Sequence, residues 1–444
     1  MKNETRPKAR LSRRAILQGA AGLAAMSALP AFGQSGFNWK AASGANLNMA
    51  MQKASFATLL EKLMPEFTEL TGINVQFEQI PEQQFRPKLV MDLQAGSGEM
   101  DVIYISYASQ KQLLGKAGWL EDLRPYISDV SKTNADFDVD DFSPAAIAYA
   151  TQPDGRLDSL PTTIHYNLLA YNKELFAAKN LQPPKTFDEM LAAAKALHDP
   201  SNNVAGFVMR GIKNANTSMW TGFMLGYGAD PIDAQGNLNT TSPEALEAAK
   251  LYTALDKDCG PAGVVSFDWP ESQASFMQGQ AAMFIDTPGI TAACNDPAKS
   301  KVAGKVGYVV HPAGPKAHVT PMLGSGFGIN KFSTQKDAAW IFLQWVASKE
   351  NQVKLVAGGA GGAARKSAYP TLLGMSPPPV SPEWVQALND SILIAKSCIP
   401  DVVSANEFRD VYGIALSNML TGSDPATELA SATDQYKQIL AQFG

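Results

Sequence analysis

The chain is 444 residues long, too long for one ordinary hydrophobic core, and its length points to two or three domains. Hydrophobic residues make up 45% and charged residues 18%, which excludes a disordered chain. The formal net charge is −5 with Lys and Arg dispersed, which excludes a nucleic-acid binder built on a dense basic face.

The first 33 residues stand apart. Lys2, Arg6, Lys8, Arg10, Arg13 and Arg14 make a basic start, and Ala15 to Phe32 carries no charge. That stretch is too weakly apolar for a spanning helix, and Ala31-Phe32-Gly33 supplies a small-x-small site before Gln34. Residues 1–33 therefore read as a cleavable export signal. Ser12-Arg13-Arg14 resembles the twin-arginine signal, with an ordinary secretory signal as the other reading. No Cys lies near the cleavage point, so a free, monomeric periplasmic protein is expected.

The mature chain alternates short apolar strands with amphipathic helices. Asn46 to Met51 reads as a strand, Phe56 to Leu70 as a helix stopped by Thr71-Gly72, and Ile73 to Phe77 as a strand. A helix over Glu82 to Ala95 precedes an apolar strand at Asp101 to Ile105. Strands follow at Asn167 to Tyr171, Val204 to Arg210, Ala281 to Ile285, Gly307 to Val310 and Gly324 to Ile329. Between and after them come helices at Phe187 to Leu197, Pro243 to Leu255, Ser272 to Gln278 and Lys336 to Lys349, and the tail from Pro382 is helical. This order predicts an α/β protein with mainly parallel sheets and ligand-binding loops beyond the carboxyl ends of strands.

Catalytic motifs are missing. The four histidines, His165, His198, His311 and His318, form no metal-ligand spacing, and neither a nucleophile elbow nor a glycine-rich phosphate loop is present. Cys259, Cys294 and Cys398 allow one bridge and leave one thiol over. No cofactor or metal is expected, and the chain reads as a binder rather than an enzyme.

Several segments, in order, resemble the family-1 extracellular solute-binding proteins of ATP-binding-cassette importers, the sugar and polyol group that includes maltose-binding proteins. They are Met64 to Val75, Asp101 to Tyr104 with Gly118 to Leu123, Leu160-Pro161 with Tyr171 to Phe176, Pro183 to Glu189, Phe276 to Met283, and Asp337 to Trp340. The resemblance implies a two-lobe periplasmic-binding-protein fold of type II. Residues 34–167 with 324–365 would form lobe 1, and 168–323 with 366–444 lobe 2, with crossovers near His165, Gly324 and Arg365. It also implies a small-molecule ligand, sugar or polyol first, and membrane permease subunits as partners.

Carried over residue by residue, the resemblance implies a ligand lining of Lys53, Ser55, Phe56, Ser106, Tyr107 and Ser109 from lobe 1, and His165 and Tyr166 at the first crossover. From lobe 2 it implies Asn216, Ser218, Trp220, Trp269, Asp286 and Thr287, and from later segments Gly324, Ser325, Arg365 and Glu407. Phe56 and Trp220 read equally as core aromatics, and Gly324, Gly326 and Gly328 as hinge or as close packing. Two departures bear on the ligand. Asp286-Thr287-Pro288-Gly289 lacks the family's stacking Trp, which disfavours a long oligosaccharide, and His165 stands where many members carry an acid. Lys53, His165 and Arg365 together would suit an anionic ligand, the alternative reading. An exposed imidazole at His165 predicts capture that changes between about pH 5 and 8.

Overall fold

The computed structural model describes residues 36–443, so the expected export signal and its cleavage site lie outside the described residues. Asn46–Gln52 (β1) pairs in parallel with Asn74–Ile80 (β2) and with Val102–Ser106 (β3). The helix Ser55–Thr71 joins the first two because Phe56, Leu60, Met64 and Phe67 recur at helical spacing and bury one face. Gly72 ends it at φ 72°, a left-handed turn that returns its N–H to the carbonyl of Thr68.

The next strand is Leu160–Tyr166 (β4), and a single residue, Asn167, separates it from Leu168–Asn172 (β5). β5 is the centre of a second, three-stranded sheet, flanked by Met283–Asp286 (β6) and Val306–Val310 (β7). The chain then returns through Thr320–Ile329 (β8), which lies antiparallel between β3 and β4. Gly362–Ala363 (β9) extends β4, and Ala395–Ser397 (β10) pairs with the first residues of β8. The large sheet thus runs β2-β1-β3-β8-β4-β9 with β10 beside β8, and the small one β6-β5-β7.

Direction is where the structure departs from the expected parallel sheets. The β2-β1-β3 portion and the β10–β8 pair are parallel, but β8 opposes β3 and β4, and β5 opposes both of its neighbours. A strand continuing straight out of β4 crosses one way while its neighbours return. Val204–Arg210 also differs, because only isolated parallel bridges tie Ala205 to Ala281 and Val208 to Phe284. Helix expectations fare better: Phe187–Leu197 starts at Thr186, whose Oγ1 accepts the N–H of Glu189.

The large-sheet core is a file of rings, Phe56 on Phe327, Phe327 on Phe342 and Phe342 on Phe67 at 6.1, 5.9 and 5.3 Å between centroids. Each such side chain contributes about 1.5–3 kcal/mol on full burial. Gly326 and Gly328 of β8 are required by close approach. A Cβ at Gly326 would stand 2.2 Å from the carbonyl oxygen of Leu160, and one at Gly328 2.6 Å from that of Asp158. All three cysteines are buried free thiols, so the bridge that composition allowed is not made. Among the described residues no helix is long and apolar enough to cross a membrane.

Arg365 departs from the ligand role expected of it. It is fully buried, with Nε donating to the carbonyl of Ala347, Nη1 to that of Asp138 at 2.8 Å and Nη2 to that of Phe137 at 2.6 Å. Asp141 lies 3.4 Å from Nη1, and the guanidinium sits 4.0 Å from the ring centroid of Phe142. This side chain bolts the 137–142 segment to the end of the large sheet and offers no fork to a ligand. Replacing Arg365 by Met strands those carbonyls and Asp141, and is expected to cost on the order of 3 kcal/mol. Urea unfolding at neutral pH measures it; a loss below about 0.5 kcal/mol contradicts the assignment.

Candidate functional site

The residues expected to line a cleft divide into two groups. The first is structural. Tyr107 packs beneath Gly324 and Gly326 against Tyr149 and accepts a hydrogen bond from Ser159, and Tyr166 is fully buried. Phe56 belongs to the ring file. Asn216 is enclosed, its amide donating to the carbonyls of Gly211 and Gly413. Ser218 caps back onto Ala215, and Trp220 donates to the carbonyl of Ala245 and stacks 5.4 Å from Tyr412. Gly324 and Ser325 are buried within β8, and the backbone of Ser109 accepts from Asn406. Glu407, partly buried, opens the helix Ala405–Leu420.

The second group stays near solvent. Lys53 and Ser55 are exposed where β1 gives way to its helix, and Ser106 is partly buried at the carboxyl end of β3. His165 is partly buried on β4, with ring atoms 3.5 Å from where a Cβ on Gly361 would stand. Gly361 belongs to a glycine-rich loop that also reaches the helix Pro288–Ala293, since a Cβ on Gly289 would lie 3.2 Å from the carbonyl oxygen of Gly359. Thr287 precedes that helix, and directly before it comes Asp286.

Asp286 is fully buried and holds Arg210 in a two-pronged ion pair. Nε of Arg210 is 2.8 Å from one carboxylate oxygen and Nη2 is 2.6 Å from the other. The Thr287 N–H donates to the same carboxylate at 2.6 Å. Burial alone would ease the proton off the guanidinium, and Asp286 more than offsets it. Arg210 retains 16% side-chain exposure, with Nη1 3.9 Å from Asp268.

The backbone under Arg210 is pinned from three sides. The Met209 N–H donates to Asp256 at 3.0 Å, Ser272 donates to the carbonyl of Met209 at 3.1 Å, and Tyr252 donates to that of Arg210 at 3.2 Å. Asp256 is itself buried, which pushes its carboxyl well above the usual carboxylate range. Gly211 follows because a Cβ there would meet the carbonyl oxygen of Val264 at 2.0 Å. Asp268 begins the helix Trp269–Met277 in a capping box with Glu271, and this turn leaves Trp269 43% exposed.

Sequence reasoning missed Arg210 and Asp268. Both carried a signal: Arg210 is a cation at the carboxyl end of an apolar run, and Asp268-Trp269-Pro270-Glu271 spells a helix start. Among the described residues no group of three or more His, Cys, Asp and Glu is placed to hold a metal ion.

Burial pushes the His165 imidazole down to about 4, Arg210 adds to the depression and Asp286 opposes it. The ring is therefore neutral from pH 5 to 8, donor through one nitrogen and acceptor through the other. This displaces the expected change in capture out of that range. Between about pH 6.5 and 4 the unfolded chain holds a proton on His165 that the folded chain does not. Its contribution to stability is thus complete above pH 6.5 and lost as pH falls toward 4. His165→Gln is expected to spare about 2 kcal/mol of the wild-type loss between pH 7.5 and 4.5, read by urea unfolding at both. Parallel losses in the two proteins exclude it.

Residues 52–353 match the profile of the bacterial extracellular solute-binding protein family. The erythritol/L-threitol-binding protein of Mycolicibacterium smegmatis is 31% identical over 417 residues, spanning 89% of this chain and 86% of its own. The ribitol complex of an ABC transporter solute-binding protein from Agrobacterium radiobacter superposes with a TM-score of 0.78 at 27% identity, over 89% of this chain and 99% of that one. A maltose-bound binding protein of T. maritima shares the fold, with a TM-score of 0.76 at 23% identity over 89% and 100% of the two chains. Fold, matched length and identity agree: the chain belongs to the bacterial extracellular solute-binding protein family.

Proposed function

We propose that this protein is the exported capture component of an ATP-binding-cassette importer and that it takes a short neutral polyol or monosaccharide. The observation that carries the reading is the cluster of Arg210, Asp286 and Asp268 with neutral His165 and the exposed Trp269. Such a set offers fixed donors and acceptors to hydroxyls and a flat apolar face to C–H groups. Similarity supports the ligand class, since one relative is named for two four-carbon polyols and a structural neighbour holds ribitol.

In this reading the large sheet and the small sheet mark the two lobes. Arg210, Asp268, Trp269 and Thr287 grip from the second, His165 sits at the crossover, Ser55 and Ser106 meet the ligand from the first, and Lys53 stays in solvent beside them. Phe56, Tyr107, Tyr166, Asn216, Ser218, Trp220, Gly324 and Ser325 support the walls from behind, and Arg365 takes no part. The anionic alternative is weakened, because Arg365 is enclosed elsewhere, burial holds His165 neutral and Lys53 alone of the three cations stays exposed. The leader in residues 1–33, of twin-arginine type, serves export; the protein converts nothing and hands its ligand to permease subunits.

A thermal-shift panel of erythritol, L-threitol, ribitol, mannitol and maltose tests this directly. At a hundred times its dissociation constant a ligand adds about 2.7 kcal/mol of stability. One of the short polyols is expected to do so, with affinity unchanged between low and moderate salt. His165→Ala is expected to weaken that polyol roughly five- to a hundredfold in calorimetry. A folded protein that answers none of the panel, or that releases a product, removes the reading.

A further inference from the structure

Arg210 stands between two carboxylates that use it differently. Asp286 takes Nε and Nη2 together, the paired edge that would otherwise clasp a ligand carboxylate. Asp268 stands 3.9 Å from Nη1, with 45% of its side chain exposed. That separation is too long for a direct hydrogen bond. It suits one hydroxyl oxygen seated between them, accepting from Nη1 and donating to Asp268. A ligand carboxylate has no proton to give Asp268 and would face its charge instead.

We infer that the gap between Arg210 and Asp268 is a hydroxyl-reading slot that makes the site select neutral polyols and reject the corresponding sugar acids. This rests on the polyol reading above and adds a specificity determinant to it. The charge balance agrees: one guanidinium against Asp268 and Asp286 leaves this wall net negative, and His165 adds no positive charge at neutral pH. Lys53 lies on exposed chain at the end of β1, where solvent ions screen it within about 10 Å. Asp286 acts as the positioning residue, because it is buried and fixes which edge of the guanidinium faces out. Asp268 is the discriminator.

The variant that isolates the discriminator is Asp268→Asn. Asn begins a helix as well as Asp does, so the turn that carries Trp269 keeps its cap while the charge is removed. Calorimetry at low salt compares erythritol, L-threitol and ribitol with erythronate, threonate and ribonate, the acids in which a carboxylate replaces one terminal CH₂OH. Wild type is expected to prefer its best polyol over the matching acid by about a hundredfold, the scale of one like-charge encounter. In Asp268→Asn that ratio is expected to fall to about tenfold or less, mainly because the acid binds better. Equal capture of polyol and acid by wild type, or an unchanged ratio in the variant, overturns the slot and leaves the polyol reading standing. A wild type that takes neither series, or only the acids, overturns both.

Discussion

The antiparallel pairing of β4 with β8 makes one molecule of two sheets. Both strands lie inside the large sheet, yet β4 runs into β5 of the small sheet across Asn167 alone. At that junction the Asn167 N–H donates to the carbonyl of Pro321 at 2.9 Å, so the outgoing and returning chains stay hydrogen-bonded where they leave the large sheet. A crossing segment carries backbone polar groups that have no sheet of their own, and pairing the two crossings satisfies them. Two residues of the proposed site sit at this seam. His165 is two residues before Asn167, and Asp286 pairs with Leu168 just beyond it.

Two arginines show how differently a buried guanidinium can be employed. Arg365 is surrounded by carbonyls and aromatic faces, and burial eases its proton off despite Asp141 nearby. Arg210 has one carboxylate matched to it edge to edge and keeps its opposite side toward solvent. The first arrangement maximises satisfaction and closes the group to ligands. The second leaves a donor unspent, which is what a recognition site needs. Neighbours decide this, and neighbours come from segments distant in the chain.

That contrast explains how much was legible in the sequence. Periodicity located the helices at Ser55–Thr71, Phe187–Leu197 and Pro243–Asp256 to within a residue or two, because burial on one face repeats every few positions. Strand direction was not legible, since pairing depends on how the chain crosses between sheets and no local pattern encodes it. The site was half legible. The family resemblance pointed to His165 and Asp286, which the fold sets beside Arg210, and equally to Asn216 and Trp220, which turn inward to Gly413 and Tyr412. Arg210 escaped notice because its run resembles a plain strand, and its role appears only when Asp286, 76 positions later, folds against it.

The three thiols give the fold an internal clock. Cys259 lies where the backbone receives Gly206, Cys294 ends the short helix after Asp286, and Cys398 hydrogen-bonds to Met322 beside β8. Burial raises each thiol above its ordinary range, Cys398 to about 12, so little thiolate exists to react. A thiol reagent therefore waits for an opening motion, and its rate at each position reports how readily that position opens: the carbonyl that holds Gly206, the wall behind Asp286, and the strand beside β8. Unlike Tm, which merges these events into one number, alkylation followed by mass spectrometry would resolve which part of the molecule lets go first.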